Sequence, residues 1–141
     1  MYQISETPAI YPAKKRPGIT RPQQAADLLA GNCLAGREVF QVLFLDARHA
    51  CIVPPYAVSV GSLNASLVHP REVFRQAIAL GAAAVILGHN HPSGNLQPSG
   101  DDCELTDRLT KAGELIGIAV LDHLILDGAG GFLSMRENGN F

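Results

Sequence analysis

Long apolar runs are missing from this chain of 141 residues. The longest uninterrupted one, residues 82–87 between flanking glycines, is far short of the ~20 residues that cross a bilayer, and the N-terminus has no apolar stretch of a secretion signal. These absences point to a soluble, cytoplasmic protein without a membrane partner. Cysteine is scarce and odd in number. Cys33, Cys51 and Cys103 show no C-x-x-C spacing, which argues against both a disulfide framework and a thiolate zinc cluster, and they read as small buried residues. What is present is the material for one core: 47% of residues are hydrophobic, at a length near the mode for single domains.

Charge is small in total and uneven in placement. The net value is −2, yet residues 1–22 hold Lys14, Lys15, Arg16 and Arg21 against Glu6 alone, with Pro8, Pro12, Pro17 and Pro22 opposing regular structure. This stretch reads as a flexible, basic, proline-rich arm. Residues 23–141 form the domain proper, with seven basic and twelve acidic residues, a balance that does not suit a duplex-binding surface. A basic arm can touch phosphates, but a solvated arm is the plainer reading.

The pattern along the domain alternates helices and strands. Residues 23–34 read as a short helix with Ala25, Ala26, Leu28 and Leu29 on its apolar face, and residues 39–45 as a strand. A turn at 46–49 leads to a second strand at 50–53, which Pro54-Pro55 interrupts before extended chain resumes at 56–60. Residues 70–80 form a helix with Val73, Phe74, Ala77 and Ile78 inward and Gly81 at its end. The apolar run at 83–87 suits a central strand covered on both faces. Leu105, Leu109, Ala112 and Ile116 mark the core stripe of the next helix, and residues 118–126 and 132–135 read as a closing hairpin around 127–131. The expected fold is therefore mixed α/β, a central mixed sheet flanked by helices.

Chemistry concentrates just after the central strand, in Leu87-Gly88-His89-Asn90-His91-Pro92-Ser93-Gly94 and on to Ser99-Gly100-Asp101-Asp102. If the chain is still extended at His89 and His91, the two-residue period sends both imidazoles to one side, where a single cation can touch both. A lone histidine after a buried strand is usually a packing residue; two at this spacing, followed by a turn and an acid, favour a metal. Pro92, Gly94, Pro98 and Gly100 turn the chain, so that a carboxylate at the start of the next helix can fold back over the site. Asp101 and Asp102 are both placed for this and their position alone does not choose between them, while Ser99 and Asp102 also have the spacing of a helix-capping pair. Three protein ligands leave a fourth tetrahedral position for water, the arrangement of a catalytic zinc.

His89, one residue, His91, seven residues, Ser99, two residues and Asp102 make a pattern that resembles the metal signature of the JAMM (MPN/JAB) metallopeptidases, and the surrounding HNHPSG and PSGDD are similar to the RadC-type branch. Glu38-Val39-Phe40, Leu43-Phe44-Leu45-Asp46, Gly61 through Ser66, His69 through Val73, and Asp122-His123-Leu124-Ile125 on to Gly131 and Ser134 extend the resemblance in the same order over roughly residues 23–141. That family usually carries a helical N-terminal region with a helix-hairpin-helix module, where this chain has only a short arm. The resemblance implies a JAB/MPN-like, cytidine-deaminase-like architecture, zinc as cofactor, His89, His91 and Asp102 as its ligands, and a protein or peptide substrate. It also implies that Glu38, on local evidence an ordinary exposed glutamate, is the general base beside the metal-activated water, and that Ser99 donates to the developing oxyanion.

The leading expectation is thus a zinc-dependent metallopeptidase or isopeptidase. Other metal chemistries fit less well: a nucleobase deaminase needs a paired-cysteine motif, a metallo-β-lactamase continues H-x-H with an Asp-His pair where Ser93-Gly94 stand, and a ferrous facial triad orders its ligands differently. The alternative is a DNA-repair-associated or scaffold module of RadC type that acts by binding, for which the basic arm is the one supporting feature. Asp122 and His123 alternate across a strand and cannot share a pocket unless that strand is bulged, so they read as support for the fold or for the site. His49 and His69 read as a turn residue and a helix-start residue. Substrate identity and oligomeric state are not written in the sequence.

Overall fold

A computed structural model describes residues 9–34, 36–61 and 68–141. Residues 1–8 of the expected arm and residues 62–66 of the resemblance lie outside the described residues. Five strands form one mixed sheet in the order β2-β1-β3-β4-β5, from β1 (Glu38–Leu45), β2 (Tyr56–Gly61), β3 (Ala84–Asn90), β4 (Ala119–Leu126) and β5 (Phe132–Ser134). β3 and β4 are parallel and the other neighbours antiparallel. Parallel neighbours need a crossover. Helix α3 (Gly100–Ile116) supplies it, while α1 (Pro22–Ala30) and α2 (Pro70–Leu80) complete the layers.

Alternation along the strands builds two cores. Phe40, Val42 and Phe44 of β1, Val85 and Leu87 of β3 and Val120 of β4 pack with Val73, Phe74 and Ala77 of α2 and Leu105 and Leu109 of α3. On the opposite face Leu43, Leu45, Ile86, Leu124 and Leu126 pack with Ala25, Ala26 and Leu29 of α1. Because β3 is covered on both sides, every one of its residues is buried. Gly88 lets α1 close in: a Cβ there would lie 2.5 Å from Leu29 Cδ1.

Four expectations are corrected. Residues 50–53 are not a strand: they make single bridges, Ala50 to Gly18 and Cys51 to Leu45, because Pro54-Pro55 end the run and Cys51 and Ile52 are bonded on one side to the arm. Ile78 is exposed rather than inward, since it lies about 40° beyond Phe74, the outer edge of the stripe that Val73, Phe74 and Ala77 set. Ile116 is also exposed, because the chain turns at Gly117 (φ 87°) and Ile118 takes the core position instead. The first helix stops at Ala30, short of residue 34.

The described part of the arm is laid against the body. Tyr11 N–H donates to Ile52 O, Ile19 N–H to His49 O, and Pro17 O accepts from Cys51 N–H. Ile19 is buried, and Arg16 pairs with Asp46 at 3.1 Å. Between Pro12 and Pro17 the arm makes one 3-10 turn, Ala13–Lys15, and on either side of that turn its backbone pairs with residues 49–52 through the N–H groups of Tyr11 and Ile19 and the carbonyl of Pro17. No helix among the described residues is long and apolar enough to cross a membrane.

Candidate metal centre

The site forms where β3 ends. β3 stays extended through Asn90, and His91 N–H still bonds to Leu126 O of β4 at 2.8 Å, so His89 and His91 project from the same face. Their rings lie 4.8 Å apart, centroid to centroid. The chain then turns through Gly94 (φ 82°) and returns to Ser99, the N-cap of α3.

Ser99 and Asp102 make a reciprocal capping box. Asp102 N–H donates to Ser99 Oγ at 3.1 Å, and Ser99 N–H donates to Asp102 Oδ2 at 2.7 Å. Such a cap fixes both the start of the helix and the direction of the third residue's carboxylate. Asp102 is buried and its rival Asp101 is exposed. Asp102 Oδ1 lies 3.0 Å from His89 Nε2 and Oδ2 lies 3.1 Å from His91 Nε2. Burial works against the charge on Asp102, but the hydrogen bond and attraction from His89, with the Ser99 N–H and hydroxyl, hold its carboxyl well below the usual carboxylate range.

The donor set fits a metal. One donor atom from each of His89, His91 and Asp102 lies within 4.8 Å of the others, and two imidazoles with one carboxylate suit a divalent transition ion. The remaining ring nitrogens are occupied elsewhere: His91 Nδ1 bonds the Asn95 carbonyl and His89 Nδ1 meets His123 Nε2 at 2.8 Å. A metal-binding histidine is commonly held in this way through its other nitrogen. Both Nε2 atoms are left for the centre.

Glu38, Ser99, Asp101 and Leu105 line the same cavity as the three donors, a space of about 130 Å³. Glu38 opens β1 and shares the face of Phe40, whose ring stacks on His89 at 6.2 Å. The five residues singled out from sequence therefore meet in one place.

Three further residues support the site: Asn90 and Thr106 carry little or no sequence signal, whereas His123 is one of the pair expected to support the fold or the site. Asn90, between the two histidines, points to the opposite face, where its Oδ1 accepts from Val39 N–H at 2.8 Å and its Nδ2 donates to Arg37 O at 2.7 Å. It thus grips the backbone on either side of Glu38. Thr106, one helical turn after Asp102, bonds both Asp102 O and His123 Nδ1; its i+4 spacing was the only available hint.

His123 is the third, and a bulge decides its direction. β4 pairs Val120 with Val85 but Asp122 with Ile86, leaving Leu121 as the extra residue. Alternation is thereby reset, so Val120 and His123, three apart, share a face. The bulge does not unite Asp122 with His123. Asp122 turns to the other side of the sheet and accepts from Ser134 Oγ and Arg136 N–H, whereas His123 is buried behind His89. Burial, with His89 alongside, holds the His123 imidazole well below its usual range. His49 (φ 60°) sits in a turn and His69 is the N-cap of α2, as their positions suggested.

A family model described as RadC-like JAB domain matches residues 19–140. A UPF0758 protein of Desulforudis audaxviator is 43% identical over 141 residues, which cover 99% of this chain and 60% of that one. Others, from Rubrobacter xylanophilus and Alkaliphilus oremlandii, are 48% identical over 88% of this chain and 54% of theirs, and 53% identical over 72% and 43%. The chain spans about half the length of the curated relatives it matches, and their names state no activity.

Proposed function

The chain belongs to the RadC-like JAB domain family, and from that premise we propose that it is a zinc-dependent metallohydrolase that cleaves a peptide or isopeptide amide with a metal-activated water. The observation that carries this reading is that a carboxylate outside the donor set, Glu38, lines the same cavity as His89, His91 and Asp102. When bound, zinc would polarise the amide carbonyl and bring the pKa of a coordinated water toward about 7.

The chain's own residues would do the rest. His89, His91 and Asp102 would hold the ion. Glu38 would take a proton from the attacking water and return it to the leaving amine. The Ser99 oxygen is fixed by accepting from Asp102 N–H, and its hydroxyl hydrogen, which favours the ionised Asp102 carboxyl in the metal-free chain, would turn to the oxygen that gains charge once that carboxylate holds the ion. No covalent intermediate is required.

The test is metal analysis of purified protein together with hydrolysis of a defined peptide mixture read by mass spectrometry. About one zinc per chain is expected, lost in the His89→Ala, His91→Ala double variant. Glu38→Gln should keep fold and metal while hydrolysis falls roughly a hundredfold or more. Stoichiometric zinc in the double variant would sink the ligand assignment. A second, weaker reading is contact with nucleic-acid phosphates through the exposed Lys14 and Lys15. It requires weak, steeply salt-dependent DNA binding that the Lys14→Ala, Lys15→Ala variant loses.

A further inference from the structure

Behind His89 lies a chain of hydrogen bonds that begins and ends at the metal centre. Thr106 Oγ1 is 2.7 Å from the carbonyl oxygen of Asp102, 2.6 Å from His123 Nδ1, and 3.7 Å from Met135 Sδ. His123 Nε2 is in turn 2.8 Å from His89 Nδ1. Thr106 and His123 are both buried, at 2% and 0% exposure, so water does not complete these contacts for them.

The direction of each hydrogen bond follows from what its partners can do. A carbonyl only accepts, so the single hydroxyl hydrogen of Thr106 is committed to Asp102 O. Thr106 Oγ1 must then accept from His123 Nδ1–H. That leaves His123 Nε2 as the acceptor of the 2.8 Å contact, and His89 Nδ1–H as its donor. The opposite direction would leave two oxygens 2.7 Å apart with no hydrogen between them. It would also strip the Nδ1 hydrogen from His89 and place it on Nε2, the atom 3.0 Å from Asp102 Oδ1 that the metal needs bare.

We propose that His123 and Thr106 are positioning residues for the metal centre: they fix the ring orientation and the nitrogen-bound hydrogen of His89 so that its Nε2 lone pair faces the ion. The inference rests on the metal-centre reading above and extends it to two residues that touch neither ion nor substrate. The relay is anchored at Asp102 itself, so the same residue that offers a carboxylate to the ion also fixes, through its main-chain oxygen, the tautomer of a second ligand. The Leu121 bulge is what brings His123 into line, because uninterrupted alternation from Val120 would present Asp122 in its place.

The experiment measures Zn²⁺ and Co²⁺ dissociation constants of the full chain by chelator competition, with the visible Co²⁺ spectrum and the thermal unfolding of the metal-free protein recorded in parallel. Thr106→Val keeps the volume and removes the hydroxyl; Thr106→Ser keeps the hydroxyl. Affinity is expected to fall roughly ten- to a hundredfold in Thr106→Val and in His123→Leu, with a changed Co²⁺ spectrum, and to recover in Thr106→Ser. A purely structural role predicts the reverse: lowered unfolding temperature with unchanged affinity among the folded molecules. Should His123→Leu fail to fold, Thr106→Val decides alone. Wild-type affinity and spectrum in a folded Thr106→Val would overturn the relay while leaving the metal centre standing. A wild-type protein that takes up neither ion would overturn both.

Discussion

Asn90 shows how one side chain can serve a site it does not face. The β1–β3 ladder ends at the Phe40–His89 pair, and beyond it the Asn90 amide takes over as donor and acceptor for the backbone of residues 37 and 39. Asn90→Ala would orphan the N–H of Val39, whose side chain is fully buried, a loss of about 1–3 kcal/mol. Urea unfolding should show that loss, with metal content retained and hydrolysis reduced because Glu38 is no longer held. Asp46 gives a prediction in pH. Its carboxyl is held below the usual range chiefly by the Ala50 N–H, then by Arg16 and the Arg48 N–H, against an opposing effect of burial. A depressed folded-state pKa means stability that is complete above about 3.8 and lost as pH falls through the lower folded value. Asp46→Ala should therefore be less stable than wild type from neutral pH down to about 4, and the gap in unfolding midpoint should close below that. A gap that persists at pH 2 would show that the carboxylate charge is not its source.

At the scale of elements, Gly113 sets how closely α3 approaches β4. Its carbonyl accepts from both Gly117 N–H and Ile118 N–H, and a Cβ at 113 would collide with the Ile118 carbonyl oxygen and press on Phe74 Cζ at 3.3 Å. Alanine normally favours a helix interior by up to about 1 kcal/mol over glycine. Here the collision should win, and Gly113→Ala is expected to destabilise by a net ~1–3 kcal/mol in denaturant unfolding. Equal or greater stability would mean that the turn at Gly117 relaxes freely. The same elements show what the sequence could disclose. Local spacing is legible: H-x-H on an extended strand, Ser99 three residues before Asp102, and Gly81 closing α2 all stand where the pattern placed them. Phase set by tertiary contact is not legible. Nothing in residues 118–126 announces that Leu121 is skipped by its partner strand, so which of Asp122 and His123 faces the site could not be read. Ile78 was lost for a related reason, since the angular width of a buried stripe depends on what lies opposite it.

For the whole molecule, the notable deficit is of cross-links: all three cysteines are free, and Cys51 is buried with its thiol pushed up to about 11 by that burial and, to a lesser degree, by Asp46. An ion held by His89, His91 and Asp102 would tie the end of β3 to the start of α3 and close the loop between them. In polymer terms, a link around a loop of this size removes unfolded-state freedom worth roughly 3 kcal/mol. Removing the metal with a chelator should therefore lower the calorimetric unfolding midpoint by roughly 10 °C. Coincident melts of loaded and chelated protein, with metal analysis showing the ion bound in one and absent from the other, would contradict this. A disulfide is closed once, whereas a coordinate link opens and closes with the supply of its ion. The residence time of residues 92–98 in their folded arrangement, and with it their exposure to proteases, would then follow metal availability. Scarcity of the ion would mark the metal-free chain for removal at the loop that joins its ligands.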